Sequence, residues 1–143
     1  MSEQNKEVVI GCWNVASSHD VSGFDRYYDQ DVTYHGGDGE IRGLDNLKAY
    51  LQGYLTAFPD LHVTIEDIFG EGDKVFSRAR IQGTNAGELM GMPATGKSFD
   101  LRWIMNAARL ANGKIVEEWE ILDQMDLMRQ LGVVDAAKRA ATA

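Results

Sequence analysis

Apolar residues in the first part of the chain recur at spacings of three and four, which is the period of an amphipathic helix. Such a stripe predicts a first helix over residues 5–18, and a shorter stripe after it predicts a second helix with Ser22 as its N-cap. The β-rich segment Asp31–His35 predicts a short strand before Gly36. The most regular stripe predicts a long helix that ends before Pro59, with apolar positions at Leu44, Leu47, Tyr50, Leu51, Tyr54, Leu55 and Phe58.

From Leu61 onward the period of the apolar positions changes to two, as in strands with one buried face. The turn residues Gly70–Asp73 predict a first hairpin between two such segments. A second hairpin is predicted from residues 98–110 and 114–123, which are joined by Ala111–Gly113. Helices followed by antiparallel strands indicate an α+β domain, in which the helices pack against one face of a curved sheet.

The predicted strand over residues 114–123 ends in a carboxylate. Uninterrupted alternation places on one of its faces Ile115, Glu117, Trp119, Ile121 and Asp123. Burial at the end of an apolar row raises a carboxyl pKa above its reference of roughly 3.9, so Asp123 is a candidate general base. Alternatively, Asp123 is the N-cap of a helix over residues 124–131, and the two roles do not exclude each other. Glu117 and Glu118 are interpreted as strand-edge or solvated charges.

The net charge of the 143-residue chain is −8, from 22 acidic and 14 basic residues. The basic residues are scattered, which argues against a nucleic-acid partner because phosphate binding requires a positive surface. A polar start and the lack of a long apolar run predict no membrane partner and a cytoplasmic location. The single cysteine, Cys12, is expected to be a small buried residue. We expect one domain over residues 1–134 and a frayed tail over residues 135–143.

The histidines His19, His35 and His62 lack the spacing of paired metal ligands, and the sequence contains neither a GxSxG nor a GxGxxG motif. We therefore expect no metal and no other cofactor. The polar side chains expected to point into a pocket between sheet and helices are His35, Asn106 and Asp123.

A series of short motifs runs through most of the chain. In order they are Asp31–His35, Gly43, Ala57–Leu61, Gly72–Val75, Gly83, Gly91–Lys97, Arg109, Gly113–Glu117, Trp119, Asp123 and Gln130–Gly132. No single motif is specific, but their order and spacing together resemble the SnoaL-like polyketide cyclases of the nuclear-transport-factor-2-like superfamily.

This resemblance implies a cone-shaped α+β barrel, in which N-terminal helices pack on a strongly curved antiparallel sheet around an apolar cavity. It implies that Asp123 is the acid–base group of an intramolecular aldol closure that requires no metal or cofactor. It assigns His35 to hydrogen bonding of a substrate oxygen, with a structural histidine near the sheet edge as the alternative. It also implies a homodimer that forms through the exposed face of the sheet.

The sequence departs from this family at Asn106, where the cyclases often carry a cavity histidine. Asn can donate a hydrogen bond to an oxyanion but cannot exchange a proton. Arg102 shares the predicted strand face of Asn106, and it either binds an acidic group or lies in solvent. The residues expected to form walls for a flat ligand, with plain core packing as the alternative, are Trp13, Tyr54, Met105 and Trp119.

The function predicted from these features is a cofactor-independent enzyme that removes a proton from carbon in a hydrophobic, polyketide-like carbonyl compound, as an aldol-type cyclase does. Alternative enzymatic interpretations are hydroxylation, isomerisation and epoxide hydrolysis, because one fold supports several chemistries. The non-catalytic alternative is a binding or dimerisation module that holds a small hydrophobic or aromatic ligand without turnover.

Overall fold

The structure is a computed structural model that describes residues 2–37 and 39–133. Its helices are α1 (Ser2–Ser18), a 3₁₀ helix (Val21–Arg26), α2 (Leu44–Ala57) and α3 (Gln124–Leu131). Its strands are β1 (Tyr28–Gly36), β2 (Gly39–Arg42), β3 (His62–Glu71), β4 (Lys74–Thr84), β5 (Ser98–Ala111) and β6 (Lys114–Ile121). The predicted domain boundary at residue 134 and the frayed tail over residues 135–143 lie outside the described residues.

The strands form one sheet in the order β2-β1-β6-β5-β4-β3. β1 and β6 are parallel, whereas the other neighbouring pairs are antiparallel. The sheet is therefore mixed and not wholly antiparallel, and within the described residues its edge strands β2 and β3 do not pair with each other. The predicted α+β class is confirmed. We call the sheet face that packs against α1 and α2 the inner face, and the opposite one the outer face.

The caps of two helices decide where the chain turns. The side chain of Asp20 accepts a hydrogen bond from the Ser22 amide at 3.0 Å, so Asp20 is the N-cap of the 3₁₀ helix and the prediction of Ser22 was wrong. Asp123 caps α3, because its Oδ1 accepts the Asp126 amide at 2.9 Å. Gly132 ends α3 in the left-handed conformation that glycine tolerates, as predicted.

The β5–β6 hairpin was predicted correctly. Asn112 and Gly113 both have positive φ angles, of 52° and 77°, as a two-residue type I′ turn requires. This tight turn fixes the pairing of β5 with β6 and therefore the positions of the side chains that follow it.

Bulges in β6 and β5 change which residues near the helices face inward. In β6, Ile115 pairs with Leu110 while Glu117 pairs with Arg109, so Val116 is an extra residue. A bulge of this kind shifts the alternation of side chains by one residue. After Val116, each side chain of β6 therefore lies on the face opposite to the one that regular alternation would give it.

The second bulge lies in β5, where Leu101 pairs with Ile81 and Ile104 pairs with Ala79. Arg102 and its neighbour Trp103 occupy the extra length and are both exposed. From Ile104 onward, every second side chain of β5 faces inward again, beginning with Ile104 itself.

Apolar side chains occupy most of the space between the helices and the inner face. Cys12 of α1 lies in this core with 8% of its surface exposed, as predicted. Its buried neighbours in the same cluster include Val9, Val32, Leu47 and Ile115. Such a core holds α1 and α2 against the sheet and shapes the space between them.

No helix in the described part of the chain combines the length and the apolar character that a membrane crossing needs. The cytoplasmic location stays a prediction.

Candidate active site

Two adjacent chambers lie between α1, α2 and the inner face. We call the one lined by Tyr50, Tyr54 and Phe58 the outer chamber; its volume is about 100 Å³. We call the one lined by Cys12, Tyr28 and Glu118 the inner chamber; its volume is about 60 Å³. Five residues line both chambers and therefore lie at the boundary between them: Trp13, Ala16, Tyr34, Leu51 and Glu120. The outer chamber is otherwise mainly apolar.

Two carboxyl groups of β6 line these chambers. Glu118 lines the inner chamber, and Glu120 lines both. Only 3% of Glu118 is exposed, and Glu120 is partly buried. Both face inward because Val116 shifts the alternation of β6, so the interpretation of Glu118 as a solvated charge was wrong.

One amide group connects the two carboxyl groups. Asn106 of β5 is 4% exposed and lies opposite Glu120 in the sheet register. Its Nδ2 donates to Glu118 Oε2 at 3.1 Å and to Glu120 Oε2 at 3.0 Å. The Tyr34 hydroxyl donates to Glu120 Oε1 at 2.9 Å, and the Tyr28 hydroxyl is hydrogen-bonded to Glu118 Oε1. The polar groups of the site thus form one continuous network.

Burial sets the protonation of this network. Burial, and then the neighbouring charge of Glu120, raises the pKa of Glu118 to about 8. Burial also raises the pKa of Glu120, while hydrogen bonds from Tyr34 and Asn106 act in the opposite direction. The pKa values of Tyr28 and Tyr34 are raised by burial, so both phenols keep their protons. Carboxyl groups with raised pKa values can take up and return a proton near neutral pH.

Trp13 and Tyr54 lie in the chamber walls, as the sequence predicted. The indole Nε1 of Trp13 donates to the buried Ser77 Oγ at 3.0 Å, which fixes the ring between the two chambers. The hydroxyl of Tyr54 lies 3.4 Å from that of Tyr50, so two phenols face the outer chamber together. With Asn106, these residues are the predicted site members that the fold brings together.

His35 lies on the outer face, so the prediction that it points into the pocket was wrong. Its neighbour Tyr34 faces inward, and alternation along β1 sends His35 to the other side. The imidazole stacks on Trp119 with ring centroids 5.2 Å apart, and its Nε2 lies 2.8 Å from Glu117 Oε2. Hydrogen bonding from His35, together with Arg109, lowers the pKa of Glu117.

The other predicted wall residues are also outside the chambers. Trp119 is 39% exposed and, with Met105, lines a shallow depression on the outer face. The bulge at Val116 moves Trp119 outward, and Met105 alternates with the inward Asn106. Arg102 is exposed in the β5 bulge and does not share the face of Asn106. The solvent-exposed alternative holds for Arg102.

Asp123 is exposed and follows the end of β6. Its neighbours Leu122 and Gln124 line the outer chamber, whereas its own carboxylate bonds the Asp126 amide at the start of α3. The capping alternative is thus confirmed, and the acid–base role of Asp123 stays a prediction.

The residues that sequence reasoning missed are Tyr28, Tyr34, Glu118 and Glu120. The available signal was the spacing of Glu118 and Glu120, since residues two apart in a strand share a face. That signal leaves open which face is buried, because the decision depends on the bulge at Val116.

The sequence of residues 7–131 matches the family model described as SnoaL-like polyketide cyclase. The chain belongs to this family. Among curated relatives, it is 29% identical over 128 residues to aklanonic acid methyl ester cyclase DauD of Streptomyces sp. (strain C5), covering 87% of this chain and 77% of the cyclase. Within the family, the cone-like α+β fold is the expected architecture.

Two solved structures resemble this chain in fold and sequence. IdmH of Streptomyces antibioticus, provisionally assigned as a polyketide cyclase, is 30% identical with a TM-score of 0.79, covering 91% of this chain and 99% of IdmH. AclR of Streptomyces galilaeus, provisionally assigned as a hydroxylase, is 26% identical with a TM-score of 0.82, covering 92% of this chain and 98% of AclR.

Proposed function

We propose that this SnoaL-like protein is a cofactor-independent cyclase that closes a ring in a neutral, hydrophobic carbonyl compound by intramolecular aldol addition. The observation that carries the proposal is the carboxyl group of Glu120, which lines both chambers and has a raised pKa. A base buried among apolar groups and neutral donors is suited to removing a proton from carbon.

The reaction requires one base that acts twice. The Glu120 carboxylate takes a proton from the carbon between two carbonyl groups, and the electron pair of that C–H bond passes into an enolate. The enolate carbon attacks a ketone of the same molecule, which forms the C–C bond and leaves an alkoxide. The protonated Glu120 returns its proton to the alkoxide, so the carboxylate is regenerated and no redox partner is needed.

The protein contributes neutral donors and proximity to this reaction. Tyr50 and Tyr54 line the outer chamber, and the Tyr54 hydroxyl, which accepts a hydrogen bond from Tyr50, is suited to stabilising the enolate oxygen. Trp13, held by Ser77, offers a flat wall against which the reacting ring is oriented. Holding both carbonyl groups in one small space favours ring closure over reaction with water.

The charges around the chambers favour an uncharged substrate. Among the described residues that line the two chambers there is no Lys, Arg or His, while Glu118 and Glu120 are acidic. A free carboxylate on the ligand is repelled by Glu120 and loses its hydration without a positive partner. We therefore expect an ester or ketone to bind better than the corresponding acid.

The volume of the outer chamber limits how much of a substrate it encloses. A cavity of about 150 Å³ can hold one benzene molecule. The outer chamber, at about 100 Å³, is smaller than this, so it encloses only part of the reacting ring and leaves the rest of a larger ligand outside. Gly37 and Gln124 line this chamber from the β1–β2 turn and the start of α3, where we place its entrance.

Deuterium uptake at the activated carbon of a panel of aromatic β-keto esters tests the proposal. We expect Glu120→Gln to reduce the exchange rate by roughly 10²–10⁴-fold, the usual contribution of an acid–base group. Glu117→Gln is the matched control, because it removes an outward carboxylate of the same strand and should leave exchange unchanged.

Asp123→Asn belongs in the same assay, since Asn is also a favoured N-cap and should preserve α3. Loss of exchange in this variant, with Glu120→Gln still active, would return the acid–base role to Asp123. If the wild-type protein exchanges no member of the panel, the proposed cyclase activity is contradicted and ligand binding without turnover becomes the better interpretation.

We also propose that the protein forms a homodimer through the outer face. On this face, five residues that lie opposite one another in neighbouring strands form a row across the sheet. They are Phe69, Phe76, Ala107, Trp119 and His35. Phe69 is 56% exposed and Ile121, beside the row, is 64% exposed. Exposed apolar rows of this kind mark interaction surfaces, and a second copy presents the same row.

A further inference from the structure

Glu118 is a buried carboxyl group that the proposed reaction does not use. It faces the inner chamber together with Tyr28 and Cys12, whereas Glu120 reaches the outer chamber in which the substrate is placed. A buried carboxyl group is costly to retain unless its polar atoms are paired. Its hydrogen bonds therefore indicate what Glu118 does.

The hydrogen-bond network limits the number of charges it can hold. The two N–H groups of the Asn106 amide are divided between Glu118 Oε2, at 3.1 Å, and Glu120 Oε2, at 3.0 Å. The remaining oxygens, both Oε1, contact the hydroxyls of Tyr28 and Tyr34. Two ionised carboxylates bridged by one neutral amide repel each other, so one of them keeps a proton.

The surroundings decide which carboxyl group keeps this proton. Among the described residues, the titratable groups that face Glu118 are Cys12 from α1, Tyr28 and Tyr34 from β1 and Glu120 from β6, and none of them carries a positive charge. Glu118 is also the more deeply buried of the pair, and burial with the charge of Glu120 raises its pKa to about 8. In the neutral acid the proton lies on Oε1 and is donated to the Tyr28 hydroxyl oxygen, while the Tyr28 O–H turns to Cys12.

We infer that Glu118 is a positioning residue: it remains a neutral carboxylic acid and, through Asn106, holds the Glu120 carboxylate in a fixed orientation at the passage between the chambers. The inference that this orientation serves catalysis rests on the proposed function. The carbonyl oxygen of the neutral acid accepts one N–H of Asn106, which aims the other N–H at Glu120. Without that partner the Asn106 amide is free to rotate.

The protonation of Glu118 can be measured without any substrate. Protein labelled with ¹³C at the glutamate carboxyl carbons is titrated by NMR, and wild type is compared with Glu118→Gln and Glu120→Gln. We expect one carboxyl signal of the protonated form at pH 7 in the wild type, absent from Glu118→Gln. The signal should persist in Glu120→Gln with a lower titration midpoint, because a negative charge has been removed.

This measurement is decisive in both directions. Absence of a protonated carboxyl signal in the wild type at pH 7 overturns the inference, as does a signal that disappears in Glu120→Gln and persists in Glu118→Gln. Because the readout needs no turnover, a failure of the proposed cyclase activity leaves it interpretable.

The exchange assay then tests the positioning role. Gln keeps the shape and carbonyl oxygen of a neutral carboxylic acid, so Glu118→Gln should lose less than the roughly 10²-fold that removal of an acid–base group costs. Glu118→Leu cannot hold Asn106 and should lose more than Glu118→Gln, mainly in kcat. Exchange abolished in Glu118→Gln as fully as in Glu120→Gln contradicts the inference, and this comparison stands even if Glu118→Leu fails to fold.

Discussion

Glu118 and Glu120 share one hydrogen-bond donor, the Asn106 amide, at 3.1 Å and 3.0 Å. The two carboxyl groups therefore interact in two ways. Their charges repel each other, and a movement of Asn106 changes the hydrogen bonds of both. The stability, the pH response and the proposed chemistry of the site consequently depend on the same three side chains.

Replacing Asn106 with Leu removes both of these hydrogen bonds while keeping the volume of the side chain. Because two buried carboxyl groups then lose a partner, we expect the free energy of unfolding to fall by about 1–3 kcal/mol or more. Urea unfolding at neutral pH measures this change. The matched control is Asn14→Leu on the exposed side of α1, where we expect a change within about 0.5 kcal/mol. Equal effects of the two variants would contradict the network.

The raised pKa of Glu118 predicts a pH-dependent stability. Its ordinary pKa is 4.5 and its folded-state value is about 8, so between these pH values the folded protein holds a proton that the unfolded chain has released. The stabilising contribution is complete below pH 4.5 and is lost as the pH rises to about 8, with a slope on the order of 1 kcal/mol per pH unit.

Urea unfolding of wild type and Glu118→Gln across this pH window measures the slope, and we expect a flatter curve for the variant. Glu117→Gln is the control: the pKa of Glu117 is lowered by its bond from His35, so its contribution is lost only at acidic pH. Parallel curves for wild type and Glu118→Gln would show that Glu118 is ionised in the folded protein.

Substitutions of Asp123 separate its capping role from its predicted acid–base role. Asp123→Ala removes the acceptor of the Asp126 amide and should cost about 1 kcal/mol of stability, whereas Asp123→Asn should cost little because Asn also caps helices. Thermal unfolding measures both. A large loss of stability in Asp123→Asn would mean that the charge itself, beside the N-terminus of α3, matters more than the hydrogen bond.

A charge on the outer face should prevent the proposed dimer. Ile121→Lys introduces a cation that is costly to bury between two copies of the sheet, and we expect it to produce monomers. Light scattering after size-exclusion chromatography measures the mass. Met125→Lys on α3 makes the same exchange at a similarly exposed position, 58% against 64%, and should leave the mass unchanged. A wild-type protein that is itself monomeric at high concentration refutes the dimer.

The correct predictions from sequence rest on local signals. The apolar period of α2, the Asn112-Gly113 turn and the caps Asp123 and Gly132 are each decided by residues within one or two turns of chain. The inward positions of Trp13 and Asn106 were also predicted from sequence.

The failures have a different origin. Val116 and Arg102 lie in bulges, and a bulge is specified by how a strand pairs with a distant partner rather than by its own alternation. The sides taken by Trp119, Glu118 and Glu120 therefore could not be derived from β6 alone.

The bulge at Val116 determines which side chains of β6 face the chambers. The strand carries two alternating sets of side chains: Glu118 and Glu120 face inward, whereas Glu117, Trp119 and Ile121 face outward. Because Val116 is the extra residue of the bulge, deleting it would leave Glu117 opposite Arg109 and would keep Glu118 and Glu120 on the inner face. Regular pairing with Val116 retained would instead turn Glu117, Trp119 and Ile121 inward, so the pairing of β6, and not its residue content alone, determines the chemistry of the pocket.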